Sequence, residues 1–213
     1  MKRTLSVNQV LQVRNDTLPL TGGWRECFGE IDRTGILFVY GPSTSGKSSA
    51  ALCLAKELAQ FGRVLYLSNE EGFRTSFQER LRRFTATDCG ARIQFVCHET
   101  VGELIERLGK RRSADFVVID SVQDSKILRS EYENLKRLSA RKMFIFISRV
   151  EGRQPVGRLA RQIKFDADLK VWVEGGRVIS EGRYIGPVGH FDVLEEKARE
   201  YWSSNLHTSD DDE

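Results

Sequence analysis

The sequence is short of the residues that build metal sites and disulfide frameworks. Its 213 residues include 4 cysteines and 3 histidines. Cys27, Cys53, Cys89 and Cys97 are scattered, with no two at C-x-x-C spacing. A structural zinc site draws its ligands from close pairs, so the composition favours reduced, partly buried thiols. Cys97-His98 is the one adjacent pair, and His98, His190 and His207 have no neighbours in sequence that suggest catalysis. Proline is scarce at 4 residues, while 40% of the chain is hydrophobic and 30% charged, the balance of a folded globular chain. Long apolar runs are also missing: none approaches the roughly 18 residues of a membrane-spanning helix. The N-terminus, MKRTLSVNQV, lacks the continuous apolar segment of a secretory signal. The expectation is a cytoplasmic protein with no membrane partner. No repeat is visible, and the length suits one domain with a full core.

Net charge is +3, unevenly spread. Without Asp210, Asp211, Asp212 and Glu213 the remainder holds 33 basic against 26 acidic residues, or +7. A basic body with a short acidic tail is compatible with an anionic partner, and equally with a merely soluble surface. Residues 1–202 read as one domain and residues 203–213 as an acidic disordered tail, which either shields a basic surface or only solubilises the end.

Short β-branched and aromatic runs punctuate the domain: ILFVY at 36–40, VLYL at 64–67, IQFV at 93–96, FVVI at 116–119 and MFIFI at 143–147. They are mostly continuous rather than alternating, as in strands covered on both faces. Helical patterns lie between them at 48–61, 75–84, 101–108 and 131–138. In the first of these, Ala51, Leu52, Leu54, Ala55, Leu58 and Ala59 form a broad apolar stripe. This alternation predicts an α/β fold, a mostly parallel central sheet with helices on both faces. Residues 169–174, 177–180 and 190–194, broken by Gly175-Gly176 and Gly186-Pro187, predict a short antiparallel edge at the C-terminal end.

The strongest motif is Gly41-Pro42-Ser43-Thr44-Ser45-Gly46-Lys47-Ser48, a complete G-x-x-x-x-G-K-S between a predicted strand and a predicted helix. Glycines let the backbone wrap around phosphates, and successive N–H groups with the helix N-terminus hold negative charge. Lys47 would reach the β- and γ-phosphates and the Ser48 hydroxyl would hold Mg²⁺; Ser49 completes the candidate nucleotide contacts. A second magnesium anchor is expected at the end of another strand. Asp120, after Phe116-Val117-Val118-Ile119, supplies it, the alternative being a helix cap. Glu70 and Glu71 follow the strand at 64–67, on the rim where open α/β sheets place ligands. A carboxylate there can orient and polarise the attacking water, and Glu70 is taken as that base.

Together these residues resemble the RecA-like branch of P-loop ATPases, closest to the ATPase core of the bacterial RadA family in a short form of the kind carried by phages and mobile elements. The resemblance spans about residues 35–194. It rests on residues 41–48, on Tyr66-Leu67-Ser68-Asn69-Glu70-Glu71, similar to Y-V-S-G-E-E, and on Val117-Val118-Ile119-Asp120-Ser121-Val122-Gln123, similar to V-V-I-D-S-I-Q. It implies ATP and Mg²⁺ as cofactors, Glu70 as the water-activating residue, Ser148 as a polar sensor after the next strand, and a homo-oligomer. The family's K-N-R-F-G motif is met only partly by Glu181-Gly182-Arg183-Tyr184-Ile185: Arg183 keeps the arginine, and Glu181 replaces the lysine. The zinc module and protease-like domain of the family do not fit this length.

Residues 149–164 carry five basic residues and one acid. In RecA-like proteins the loop at this place touches single-stranded DNA, and Arg149, Arg153, Arg158 and Arg161 are the candidate contacts; a solvated loop plus helix is the competing reading. The expected function is a Mg²⁺-dependent ATP hydrolase acting on or with DNA in recombination, repair or replication. The alternatives are a KaiC-like signalling or partition ATPase, whose basic loop meets protein, and a small-molecule phosphotransferase using Arg80, Arg82 and Arg83 as a lid.

Overall fold

Every apolar run named above forms a strand; four are buried along their full length, and the edge run at 93–96 is buried at Ile93, half-buried at Phe95 and Val96 and exposed at Gln94. The computed structural model describes residues 4–84 and 87–206. The N-terminal part comprises α1 (Val7–Leu11), β1 (Thr17–Leu18), α2 (Gly22–Phe28) and β2 (Ile31–Asp32). The alternating core follows with β3 (Gly35–Gly41), α3 (Lys47–Leu58), β4 (Val64–Ser68), α4 (Thr75–Phe84), β5 (Ile93–Val96), α5 (Val101–Leu108), β6 (Phe116–Asp120), α6 (Arg129–Leu138) and β7 (Met143–Glu151). The chain continues through β8 (Gln154–Pro155), α7 (Arg158–Asp166), β9 (Leu169–Glu174), β10 (Arg177–Gly182), β11 (His190–Asp192) and α8 (Glu195–Leu206).

The main sheet has the order β11-β10-β9-β3-β7-β6-β4-β5, with β8 pairing the extension of β7. Strands β3, β4, β5, β6, β7 and β9 are parallel, and β10 and β11 close one edge antiparallel. Strand β9 therefore departs from the expected antiparallel edge: it lies parallel to β3, with Leu37 opposite Leu169 and Tyr40 opposite Trp172. Helix α7 supplies the crossover that a parallel return requires.

Because side chains alternate along a strand, the sheet divides two cores. Leu37, Val39, Val64, Tyr66, Phe116 and Val118 face α2, α3 and α4, with Trp24, Leu54 and Phe77 from those helices. Ile36, Phe38, Leu65, Val117, Phe144 and Phe146 face α5, α6 and α7, with Leu104, Leu135 and Ile163. The expected apolar stripe of α3 is buried throughout, from Ala51 to Ala59.

Two boundaries differ from the sequence reading. Helix α8 runs through Trp202 to Leu206, so the start of the expected tail is helical. Residues 207–213, with the acidic run and His207, lie outside the described residues. The basic segment after Ser148 is not an open loop. Strand β7 continues to Glu151 and turns into β8, with Val150 opposite Pro155 and Glu151 opposite Gln154, and α7 follows. No helix among the described residues is long and apolar enough to cross a membrane.

Candidate functional site

Strand β3 ends at Gly41 and α3 begins at Lys47, so the phosphate-loop motif spans the turn from a buried strand to a helix N-terminus. Two of its glycines are required by geometry. A Cβ on Gly41 would stand 2.0 Å from the Val173 carbonyl oxygen, and Gly46, at the N-cap, has φ 106°. The Lys47 ammonium donates to the Pro42 carbonyl at 2.5 Å, folding the side chain back over the loop. Burial pulls the Lys47 pKa below its ordinary value, opposed by the charges of Glu70 and Asp120. The Ser45 hydroxyl is buried and has no hydrogen-bond partner among the described residues.

Asp120 reaches this loop by strand parity. Phe116 and Val118 face α3, so the carboxylate two positions further on does too. Tyr66, from the neighbouring strand on the same face, donates its hydroxyl to Asp120 Oδ2 at 2.7 Å. Asp120 Oδ1 is buried without a hydrogen-bond partner among the described residues. Burial pushes the Asp120 carboxyl up to about 6; the Tyr66 hydroxyl pulls it down, the Glu70 charge pushes it up and the Ser48 hydroxyl pulls it down. An unsatisfied carboxylate oxygen beside a serine hydroxyl is a set of hard oxygen donors, which fits Mg²⁺. Ser48 and Asp120 are the residues that would hold it.

The two glutamates after β4 separate cleanly. Asn69 and Glu70 donate their backbone N–H groups to the Asp120 carbonyl at 2.8 and 3.1 Å, tying this turn to the end of β6. The Asn69 side chain also takes the His98 N–H at 3.0 Å and gives a hydrogen to Ser125 at 3.1 Å. Glu71 is held in a two-pronged ion pair by Arg80, at 2.5 and 2.9 Å. Glu70 is exposed and has no ion pair among the described residues. Arg80 is thus committed to Glu71, and Arg83 lies over the Phe84 ring at 5.3 Å, so these two arginines do not form a free lid.

Ser148 sits in register opposite Tyr40 and is fully buried. It accepts from Gln123 Nε2 at 2.8 Å and donates to the Arg149 carbonyl at 3.0 Å. Gln123 also donates to the Val156 carbonyl at 2.9 Å, so one side chain links the end of β6 to both arms of the β7–β8 hairpin. The basic residues beyond are largely engaged. Arg149 pairs with Asp124 at 2.6 Å; Arg153 lies over the Trp172 ring at 4.9 Å and 4.0 Å from Glu181; Arg161 donates to the Pro155 carbonyl at 3.3 Å. Arg158 is exposed at the first position of α7 with no side-chain partner among the described residues.

Arg183 is the one expected catalytic residue that the fold does not bring to the loop. Gly182 pairs with Leu169, which pairs with Leu37 near the start of β3, whereas the phosphate loop follows the end of β3. Four residues of strand, about 13 Å, separate Leu37 from Gly41, and Arg183 lies one residue further out. Arg183 is exposed there and pairs with Asp168 at 3.2 Å.

Sequence reasoning passed over several supporting residues. Tyr66 and Gln123 lay inside the quoted motifs but were given no role. Nothing local pointed to Lys197, which donates from α8 to the Thr44 carbonyl, or to Gly176, whose N–H donates to the Ser45 carbonyl at 3.0 Å. The β9–β10 turn and α8 together back the phosphate loop from behind.

No protein-family model and no curated protein matches the chain. Among solved structures, the flagellar accessory protein FlaH from Methanocaldococcus jannaschii is similar at 14% identity and a TM-score of 0.59, over 84% of this chain and 99% of that one. The likeness, with the parallel sheet and the strand–loop–helix at residues 35–58, identifies the fold as a RecA-like α/β fold.

Proposed function

We propose that the protein is a Mg²⁺-dependent ATP hydrolase that works with DNA. The observation that carries the hydrolase reading is the meeting of Lys47, Ser48, Glu70 and Asp120 around one phosphate loop, with Asp120 Oδ1 buried and unsatisfied. The loop N–H groups and the α3 N-terminus would bind the phosphates, with Lys47 leaving the Pro42 carbonyl to meet them. Ser48 and Asp120 would hold Mg²⁺, which would supply positive charge against the charge that develops on the phosphates. Glu70, free of the ion pair that occupies Glu71, would orient the attacking water and take its proton. Ser148, wired to Gln123, would report the γ-phosphate to the β7–β8 hairpin. The DNA part rests on the basic composition of residues 149–164, with Arg158 the most available contact.

The FlaH likeness and the engagement of Arg149 and Arg153 favour a second reading, an accessory ATPase whose hairpin meets protein rather than nucleic acid. ATP hydrolysis measured with and without single-stranded DNA separates the two. Stimulation by DNA supports the first reading; turnover indifferent to DNA supports the second; no turnover in the presence of Mg²⁺ sinks both.

A further inference from the structure

A groove of about 1140 Å³ opens at the end of the sheet opposite the phosphate loop, where β4, β5 and β6 begin. Its charged lining is Arg63, Arg92, Arg107, Lys110, Arg111 and Arg112 against Asp115 alone. In a parallel sheet this end also receives the C-termini of the crossover helices, and basic residues there are expected partly as partners for free carbonyls. Part of the set is used that way. Arg92 donates to the Ala59 carbonyl at 3.4 Å and Arg63 to the Arg112 carbonyl at 2.5 Å, while Arg107 pairs with Glu99 at 2.6 Å. Lys110, Arg111 and Arg112 are exposed, and their side chains have no hydrogen bond or ion pair among the described residues. The groove therefore holds more positive charge than the helix ends consume.

We propose that this groove binds the backbone of a single nucleic-acid strand without regard to sequence. Its charge selects that ligand. Lys110, Arg111 and Arg112 are consecutive in the turn between α5 and β6, and a flexible single strand can bend to follow three adjacent cations, whereas a duplex, with a persistence length of about 50 nm, cannot. In an extended acidic peptide successive side chains point to opposite sides, so a groove open on one side meets every second charge. A nucleic-acid strand carries a phosphate at every repeat. Phe61 is the one aromatic in the lining, so contact is with phosphates rather than stacked bases. The proposal stands apart from the ATP site and from residues 149–164, which lie at other ends of their strands.

The test is fluorescence anisotropy of a labelled oligothymidylate against rising salt, for the wild type, Lys110→Ala/Arg111→Ala and Arg153→Ala/Arg158→Ala. Each single-strand phosphate neutralised contributes about 0.7 to the slope of log affinity against log salt. The groove pair should flatten the slope by about 1.4 and weaken low-salt binding roughly tenfold. It should leave binding of a fluorescent ATP analogue unchanged, which also reports that the variant is folded. In the wild type the oligonucleotide should protect Lys110 from acetylation. The proposal is overturned by an unchanged slope in the groove pair, by an exposed Lys110 in the complex, or by no wild-type binding at low salt. Displacement of the strand by polyglutamate as readily as by unlabelled oligonucleotide would also overturn it, in favour of an acidic protein segment. ATP turnover is not among the readouts, so failure here leaves the hydrolase reading to its own experiment.

Discussion

Tyr66 donates its hydroxyl hydrogen to Asp120 Oδ2 at 2.7 Å and leaves Oδ1 buried without a partner among the described residues. One oxygen is steadied by the protein, and the other is left without a hydrogen-bond partner among the described residues. The bond also sets the charge state, because Tyr66 is the main group pulling down a carboxyl that burial raises to about 6.

Binding of Mg²⁺–ATP should therefore strengthen as pH rises through about 6, since the ionised carboxylate is the form that holds the cation. Tyr66→Phe removes a stabiliser of the charged form, so the midpoint should move to higher pH. Calorimetric titration between about pH 5 and 8 reads it, and an unmoved midpoint would show that Tyr66 does not act through Asp120. Stability runs the other way. Asp120 holds its proton more tightly folded than unfolded, where its ordinary value is 3.8, so its contribution falls as pH rises from about 4 through 6. Asp120→Asn should raise the melting temperature of the nucleotide-free protein at pH 8 by several degrees, for a gain of at most about 3 kcal/mol. The gain should fade toward pH 4.

Glu70→Gln should keep nucleotide binding and stop turnover. Glu71→Gln should retain turnover and cost up to about 1 kcal/mol in stability, through loss of its partly exposed pair with Arg80. Steady-state hydrolysis and thermal melts read the two effects. The reverse pattern would move the base by one residue.

Lys197→Ala should loosen the phosphate loop, because its ammonium donates to the Thr44 carbonyl. An exposed bond of this kind contributes about 1 kcal/mol, so ATP affinity should fall about fivefold while the fold is kept. Unchanged affinity would mean that α8 packs behind the loop without shaping it.

If residues 149–164 contact single-stranded DNA, Arg158→Ala should flatten the salt dependence of binding by about 0.7. Arg149→Ala should change it less, because Asp124 already holds that guanidinium at 2.6 Å. A larger effect at Arg149 would mean that DNA displaces Asp124.

Arg183 lies about a strand's length from its own phosphate loop, so a catalytic role for it requires a neighbouring copy. Mixing inactive Arg183→Ala with inactive Glu70→Gln should then restore part of the turnover. No recovery in proven mixed oligomers would assign Arg183 to its pair with Asp168 alone.

The sequence by itself determined the strands, the crossover helices and the phosphate loop. The four continuous apolar runs at 36–40, 64–67, 116–119 and 143–147 can be satisfied only between two layers of helices, and residues 41–48 need only their immediate neighbours to form the loop. It also placed Asp120 and Glu70 at strand ends, since both positions follow from counting along a buried run. Only the tertiary structure decided which charges stay free. Glu71 is claimed by Arg80, Arg149 by Asp124 and Arg153 by Trp172, and the choice of Glu70 and Arg158 follows from what those partners leave over. The same holds for β9, which joined the parallel set beside β3, and for Lys197, which meets Thr44 from 153 residues away. Periodicity reports which face of an element is buried, but the partner on that face is set by strand order, which local sequence does not encode.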